Sequence, residues 1–221
     1  LWGGELPELF AEKMAMPLEE CVKYLPALWF DVEGYSAKLR LAYMDSATEL
    51  WKENFTCQLG RWCEKHNVLY IGHNLEDAGM HSRMGWGCGH FFRSMDGQSM
   101  SGIDIVLNQM TPGMADMPQI AGATSGQLEK NSAFYHYVLG KLGASHAHIN
   151  PKMKNRALCE VFGGYGWTCG LSSMKRIFNH MLCRGINNYI PHAFSMMLPS
   201  ILMLIPQYQM FFQWGWINSF K

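Results

Sequence analysis

The chain has 221 residues, of which 48% are hydrophobic, 13% aromatic and only 16% charged. This composition excludes an intrinsically disordered protein and indicates one domain, or part of one, with a sizeable buried core. Lys and Arg total 18 and so do Asp and Glu, so the chain lacks the basic excess expected of a general nucleic-acid-binding protein.

The cysteines and the first residues bear on the compartment. Seven cysteines occur without a C-x-x-C pair, which predicts neither a zinc ribbon nor a disulfide framework. The sequence starts at Leu1 and has no basic segment followed by an apolar stretch, so no secretory signal is expected in it. A reducing cytoplasm is the expected localisation.

The first 65 residues predict a helical region. Leu6–Met14 is a short amphipathic segment, and Pro17 suits the first turn of a second helix that runs to about Leu25. A longer helix is predicted over about residues 36–65, where apolar residues recur at spacings of three and four. Its apolar face would consist of Leu39, Tyr43, Ala47, Leu50, Trp51, Phe55, Leu59 and Trp62.

Strands and helices alternate from residue 66 onward. Four strands are predicted, over Val68–Gly72, Ile103–Leu107, Ala157–Phe162 and Ile186–Phe194. One helix is expected from Asn131 to about Gly143, and another over residues 171–182 with Gly185 after its end. This alternation is typical of parallel strands joined by helical crossovers, and four strands make half of a (β/α)8 barrel.

The end of the chain differs in composition from the rest. Residues 185–220 contain no Asp, Glu, Lys or Arg. The apolar run from Ala193 to Ile205 is broken by Pro199 and is shorter than the roughly 20 residues of a membrane-spanning helix. The predicted organisation is therefore a helical region over 1–65, βα units over 66–195 and an atypical uncharged tail over 196–221.

Glu160 is the most informative candidate for a catalytic residue. Parallel α/β folds place reactive groups at the carboxyl ends of their strands, and Glu160 lies inside the predicted third strand. A carboxylate there is desolvated unless it faces a polar cavity, and perturbed carboxylates cluster at functional sites. The structural alternative is a buried salt bridge to an arginine such as Arg93 or Arg156.

The segment after the first predicted strand is dense in functional groups. Glu76 is a second catalytic candidate, with a solvated loop carboxylate as its alternative, and it lies near His73, His90 and Arg93. A long loop of this kind after a strand is usually functional. The histidine spacings match no recognised set of metal ligands, so neither a metal nor another cofactor is expected.

Aromatic residues near these carboxylates favour a carbohydrate ligand. Trp167, Tyr165 and Trp86 lie close in sequence to the two loops, and pyranose rings stack on aromatic faces while their hydroxyls need polar partners. Core packing explains any single one of them equally well. Asp104, in the second predicted strand, is a candidate for binding a substrate hydroxyl or for a structural hydrogen bond.

Several blocks of the sequence resemble bacterial glycoside hydrolases with a barrel fold, related to β-galactosidases and to the α-L-rhamnosidase-like group. The resemblance covers about residues 1–195. Its blocks are Trp62–His73, Gly89–Met95, Cys159–Gly163, Gly185–Asn187 and Pro191–Phe194, together with Glu5–Phe10 and Tyr24–Leu28, which look like a helical insertion of such enzymes.

The resemblance implies a partial TIM barrel, the C-terminal half with about four parallel strands and an N-terminal helical insertion. In such enzymes a carboxylate after the fourth barrel strand is the acid/base and a Glu on the seventh is its partner. The match makes the four strands here the fifth to eighth, with Glu160 on the seventh. The fourth-strand acid is then expected before Leu1, and Glu76 becomes either the acid or a sugar ligand.

The predicted function is hydrolysis of O-glycosidic bonds, in galactosides or rhamnosides, with Glu160 and Glu76 as the catalytic carboxylates. His73, His90, Arg93, Asp104, Trp167 and His192 are the predicted substrate-binding residues. The alternative is a non-catalytic carbohydrate-binding or incomplete half-barrel that lacks the general acid. Besides carbohydrate, the expected partners are further copies of the chain or the remainder of the same chain, whereas nucleic acid and membrane are not expected.

Overall fold

The computed structural model describes residues 3–74, 88–111, 113, 119–120, 129–130, 132–165 and 169–192. These residues divide into two compact units. A helical unit contains the described residues 3–70 and 88–98. A mixed α/β unit, called the sheet unit below, contains residues 71–74 and the described residues from 99 to 192.

The helical unit contains five α-helices in its described residues. They are α1 (Leu6–Met14), α2 (Leu18–Lys23), α3 (Ser36–Trp51), α4 (Cys57–Lys65) and α5 (Phe91–Ser94). The prediction for Leu6–Met14 is confirmed. Helix α2 ends two residues before the predicted limit because Pro26 disfavours α-helical geometry at Leu25, which instead begins a 3₁₀ turn.

The core of this unit is formed by the first helices and the beginning of α3. It consists of the buried residues Phe10, Met14, Cys21, Ala27, Leu39 and Ala42. Lys13 on α1 forms ion pairs with Asp45 and with Glu49 on α3, the latter at 2.7 Å. These contacts join α1 to α3 through both apolar packing and charge.

The long helix predicted over residues 36–65 is present but is not uniform. A π-helical turn over Lys52–Thr56 connects α3 to α4. Of the predicted apolar face, Leu39 is fully buried, whereas Trp51, Phe55 and Trp62 are 37–57% exposed. The π turn holds more residues than an α turn, so Trp62, which follows it, is rotated away from the stripe that precedes it.

The sheet unit contains, in chain order, β1 (Ser101–Ile105), the antiparallel pair β2 (Gln119–Ile120) and β3 (Glu129–Lys130), α6 (Gly140–Ile149), β4 (Ala157–Val161), α7 (Leu171–Leu182) and β5 (Asn188–Pro191). Three of these strands form a parallel sheet in the order β1–β4–β5. Helix α6 lies between β1 and β4 in the chain and α7 between β4 and β5, which is the crossover pattern that parallel pairing requires. The predicted α/β class is confirmed.

The first predicted strand is wrong. Residues 68–74 belong to no strand, and Val68, Leu69 and Ile71 are 39–55% exposed rather than buried. The carbonyl of Gly72 nevertheless lies against β1, where a Cβ on Gly102 would come within 1.7 Å of it. Apolar, β-branched composition favours an extended chain, but a strand also needs a partner that completes its hydrogen-bond ladder.

The helix predicted to end near Gly143 ends at a different residue in the structure. It continues to Ile149, after a π-helical segment over Phe134–Leu139. A Cβ on Gly143 would lie 3.1 Å from Ile103 and 3.5 Å from Ile186. This glycine therefore allows α6 to approach the sheet closely instead of ending the helix. Gly185, with φ +97°, does follow the end of α7 as predicted.

The strand limits also differ in detail. Strand β1 ends at Ile105 because Leu107 and Asn108 adopt positive φ in a turn. Strand β5 starts at Asn188, since the side chain of Asn187 is bound to the backbone of Ala157 and Asn155. In the part of the chain that the structure describes, no helix is long and apolar enough to cross a lipid bilayer.

Candidate functional site

The candidate site is built on the central strand of the parallel sheet. Glu160 on β4 is paired in register with Asp104 on β1. Because paired residues of neighbouring strands point to the same face, both carboxylates lie on one side of the sheet. Their neighbours Ile103 and Tyr189 point to the other side, where Ile103 meets Gly143 of α6 and Tyr189 packs on Phe178 of α7.

The two carboxylates therefore face away from the crossover helices and lie near the carboxyl ends of their strands. Asp104 is 2% exposed, whereas the Glu160 side chain is 28% exposed. Of the pair, Glu160 is the one that a ligand can reach.

His73 connects the two carboxylates. Its Nε2 lies 3.1 Å from Oε2 of Glu160, and its Nδ1 lies 3.8 Å from Oδ2 of Asp104. The same Nδ1 donates a hydrogen bond of 2.7 Å to the backbone carbonyl of Asn74. The His73 side chain is 18% exposed, so these contacts are largely shielded from water.

His192 approaches Glu160 directly after β5. Its Nε2 lies 3.5 Å from Oε1 of Glu160, which is longer than a normal N–H···O hydrogen bond. A Cβ on Gly163 would lie 2.7 Å from Cγ of His192. Among the described residues, Nδ1 of His192 is buried without a hydrogen-bond partner.

These contacts shift the pKa values of Glu160 and His73 in opposite directions. The hydrogen bond from His73 lowers the pKa of Glu160 against the opposing effect of burial, and the charges of His73 and His192 add to the lowering. Burial would lower the pKa of His73, but Glu160, Asp104 and the Asn74 carbonyl together raise it to about 9. At neutral pH the site therefore holds an ionised Glu160 beside a protonated His73.

The loops after β1 and β4 are tied to each other next to this cluster. The backbone N–H of Leu107 donates to the Gly163 carbonyl at 2.7 Å, and that of Phe162 donates to the Ile105 carbonyl at 3.1 Å. Phe162 has φ +76°, an unfavourable conformation for a bulky residue of the kind that clusters at functional sites. The backbone that follows Glu160 is thus tied to the end of β1.

Tyr165 is part of this support and not of a sugar-stacking surface. It is 8% exposed, and its hydroxyl accepts from Met110 N–H at 3.0 Å and donates to the Met110 carbonyl at 2.9 Å. Its aromatic face is therefore buried in the core, which excludes the sequence-based interpretation for this residue.

The two arginines named as structural partners of Glu160 have other partners. Arg156 donates instead to the carbonyls of Met153 and Ser99. Arg93 belongs to the helical unit, where it forms ion pairs with Asp45 and, at 3.8 Å, with Glu49. Neither arginine is the partner of Glu160 predicted by that interpretation.

His90 has a local structural role. It is the N-terminal cap of α5: its Nδ1 accepts from the Arg93 backbone N–H, and its own N–H donates to Oγ1 of Thr48 at 3.0 Å. The structure thus gives His90 and Arg93 partners within the helical unit. Glu76 and Trp167 lie outside the described residues.

The close contacts among His73, Glu160 and His192 were not predicted, although each residue was selected individually. No role was predicted for Gly163, the glycine that makes room for His192. Its signal in the sequence was the pair Gly163-Gly164 directly after a strand. Within the described ranges, no group of three His, Cys, Asp or Glu residues is arranged to hold a metal ion.

Comparison with known proteins adds no family to this description. No family model matches the chain, and neither the curated proteins nor the solved structures contain a match. Fold and site therefore define an α/β protein with an ionised carboxylate held between two histidines, on the face of a parallel sheet opposite α6 and α7.

Proposed function

We propose that the protein is a glycoside hydrolase and that Glu160 is one of its two catalytic carboxylates. The observation that carries the proposal is the placement of Glu160 near the carboxyl end of the central parallel strand, partly exposed and held between His73 and His192. This is where α/β barrel enzymes place their reactive groups. The resemblance of the sequence to barrel glycosidases points in the same direction.

The sheet topology supports a barrel as the complete architecture. The order β1–β4–β5 adds each parallel strand beside the preceding one, as in a (β/α)8 barrel. Helices α6 and α7 pack on the same side, since a Cβ on Gly140 of α6 would lie 3.1 Å from Met181 of α7. The carboxylates on the opposite side would then face the barrel interior. In this proposal the three strands belong to the second half of the barrel.

The ionisation of Glu160 determines which catalytic role suits it. Its pKa is lowered, primarily by the hydrogen bond from His73, so the carboxylate is charged at neutral pH. A charged carboxylate serves as the nucleophile of a retaining glycosidase or as the base of an inverting one, and it also stabilises an oxocarbenium-like transition state. The general acid requires a raised pKa and is therefore a different group.

Glu76, or a carboxylate supplied by another part of the complete protein, is the proposed general acid. It would protonate the leaving-group oxygen as the glycosidic bond breaks. In a retaining reaction, Glu160 would form a bond to the anomeric carbon and water would later cleave it. In an inverting reaction, Glu160 would accept a proton from the attacking water.

The test is hydrolysis of aryl galactosides and aryl rhamnosides by the protein expressed from its complete reading frame. Glu160→Gln should lower kcat at least about a hundredfold, because it removes the charge while keeping the shape. Glu33→Gln is the matched control, since Glu33 is exposed in the helical unit. Unchanged hydrolysis in Glu160→Gln would overturn the assignment. Sugar binding without hydrolysis by the unmodified protein would support the non-catalytic alternative instead.

A further inference from the structure

Both nitrogens of the His73 ring are engaged by acceptors of the protein itself. The Asn74 carbonyl, 2.7 Å from Nδ1, can only accept a hydrogen bond, so Nδ1 carries a proton. Nε2 faces Oε2 of Glu160 at 3.1 Å, and an ionised carboxylate likewise only accepts. The ring therefore donates on both sides and is an imidazolium.

The charges around the ring agree with this state. Asp104 on β1 and Glu160 on β4 face it, at 3.8 Å and 3.1 Å. His192, after β5, faces Glu160 from the other side at 3.5 Å. A cation between two carboxylates offsets the repulsion that two buried like charges would otherwise create.

Holding Oε2 has a consequence for Oε1. Among the described residues, Oε1 faces Nε2 of His192 at 3.5 Å, a distance longer than that of a normal hydrogen bond. Within the described part of the chain, Oε2 is thus anchored by a hydrogen bond, and Oε1 is the oxygen left for a ligand.

We propose that His73 is a positioning residue for Glu160: its imidazolium binds Oε2, keeps the carboxylate ionised and presents Oε1 to the substrate. The proposal rests on the proposed glycosidase function. It replaces the expectation that His73 binds a sugar hydroxyl, because neither ring nitrogen has a hydrogen left to donate to one.

The variant His73→Gln distinguishes a residue that positions Glu160 from a residue that binds a sugar hydroxyl. Glutamine retains an N–H donor for Glu160 but has no charge, so Glu160 should become harder to ionise. The acidic limb of the kcat/KM profile should then move to higher pH by about one unit or more. If His73 instead binds the sugar, the variant should have a higher KM while the acidic limb of the kcat/KM profile stays at the same pH. That result would overturn the proposal. The control is His148→Gln, an exposed histidine on α6.

A second measurement does not depend on activity. Histidine side-chain NMR on the whole protein, with the His73 signal identified by its loss in His73→Gln, should show a ring that titrates near pH 9. In Glu160→Gln this titration should move to lower pH. A His73 signal that titrates near 6.5 in both proteins would overturn the proposal even if the variants fold poorly.

The two measurements distinguish failure of the inference from failure of the function. If no glycoside is hydrolysed but the His73 titration depends on Glu160, the glycosidase function is wrong and the proposed role towards substrate falls with it, while the ion pair stands. If glycosides are hydrolysed and the titration does not depend on Glu160, the function stands and the positioning role is wrong.

Discussion

The absence of a Cβ at Gly163 allows His192 to lie close to Glu160. A Cβ on Gly163 would lie 2.7 Å from Cγ and 3.1 Å from Cβ of His192, so only glycine leaves the imidazole where it is. The imidazole in turn places Nε2 3.5 Å from Oε1 of Glu160. The glycine thereby acts on the charge environment of a carboxylate that it does not touch.

We expect Gly163→Ala to lower the free energy of unfolding by about 1–3 kcal/mol, the usual cost of overpacking. The residue has no positive φ, so the cost arises from the contact with His192 and not from backbone strain. Urea unfolding measures it.

A double-mutant cycle provides the control for this prediction. In a His192→Ala background, the same Gly163→Ala change should cost much less, because the clashing ring is gone. Equal costs in both backgrounds would contradict the proposed contact.

At the scale of secondary-structure elements, a close approach of two backbone segments decides where residues 71–74 lie. Residues 71–74 run beside β1 without forming a strand, and the Gly72 carbonyl occupies the space that a side chain at residue 102 would fill. His73 follows immediately, so this approach brings its ring to the carboxylates of β1 and β4. The position of His73 therefore depends on a glycine in a neighbouring strand.

Gly102→Ala should destabilise the sheet unit by at least about 2 kcal/mol, since its Cβ would lie 1.7 Å from the Gly72 oxygen and backbone must move. The His73 NMR titration should shift in the same variant as the ring leaves Glu160. Gly170→Ser is the matched control in this unit, because no atom lies within 4 Å of a Cβ there and serine is a preferred cap for α7. A Gly102→Ala protein as stable as the control would refute the close approach.

At the scale of the whole molecule, the seven cysteines are distributed over both units, and their reactivity can test the burial of each site. All of them are free, and they differ widely in burial. Cys21, Cys159 and Cys169 are buried, whereas Cys183 is exposed. Burial raises the pKa of the Cys159 thiol well above its usual value, and the charges of Asp104 and Glu160 raise it further.

Alkylation of the native protein should therefore modify Cys183 first. Cys159 should react only after unfolding, because both access and thiolate formation are blocked. Mass spectrometry of peptides after a short exposure to iodoacetamide, with and without urea, measures the order. Modification of Cys159 at the rate of Cys183 in the native protein would contradict the fold of the sheet unit.

The sequence by itself determined those parts of the fold that depend on residues close together in the chain. Apolar spacing located α1 and α7, and composition located the strands that carry Asp104 and Glu160. The search for polar residues near strand ends selected His73, Glu160 and His192. A buried carboxylate in an apolar strand is a local signal, and it needs no knowledge of tertiary contacts.

Only the tertiary structure decided which of these residues meet. His73 and Glu160 are 87 positions apart, and their contact depends on strand order, register and the glycine at 102. The same dependence explains why Val68–Gly72 was mistaken for a strand and Gly143 for a helix end. Local pattern reports what a segment prefers, whereas ladder partners and close packing across the sheet are supplied by residues far away in the chain.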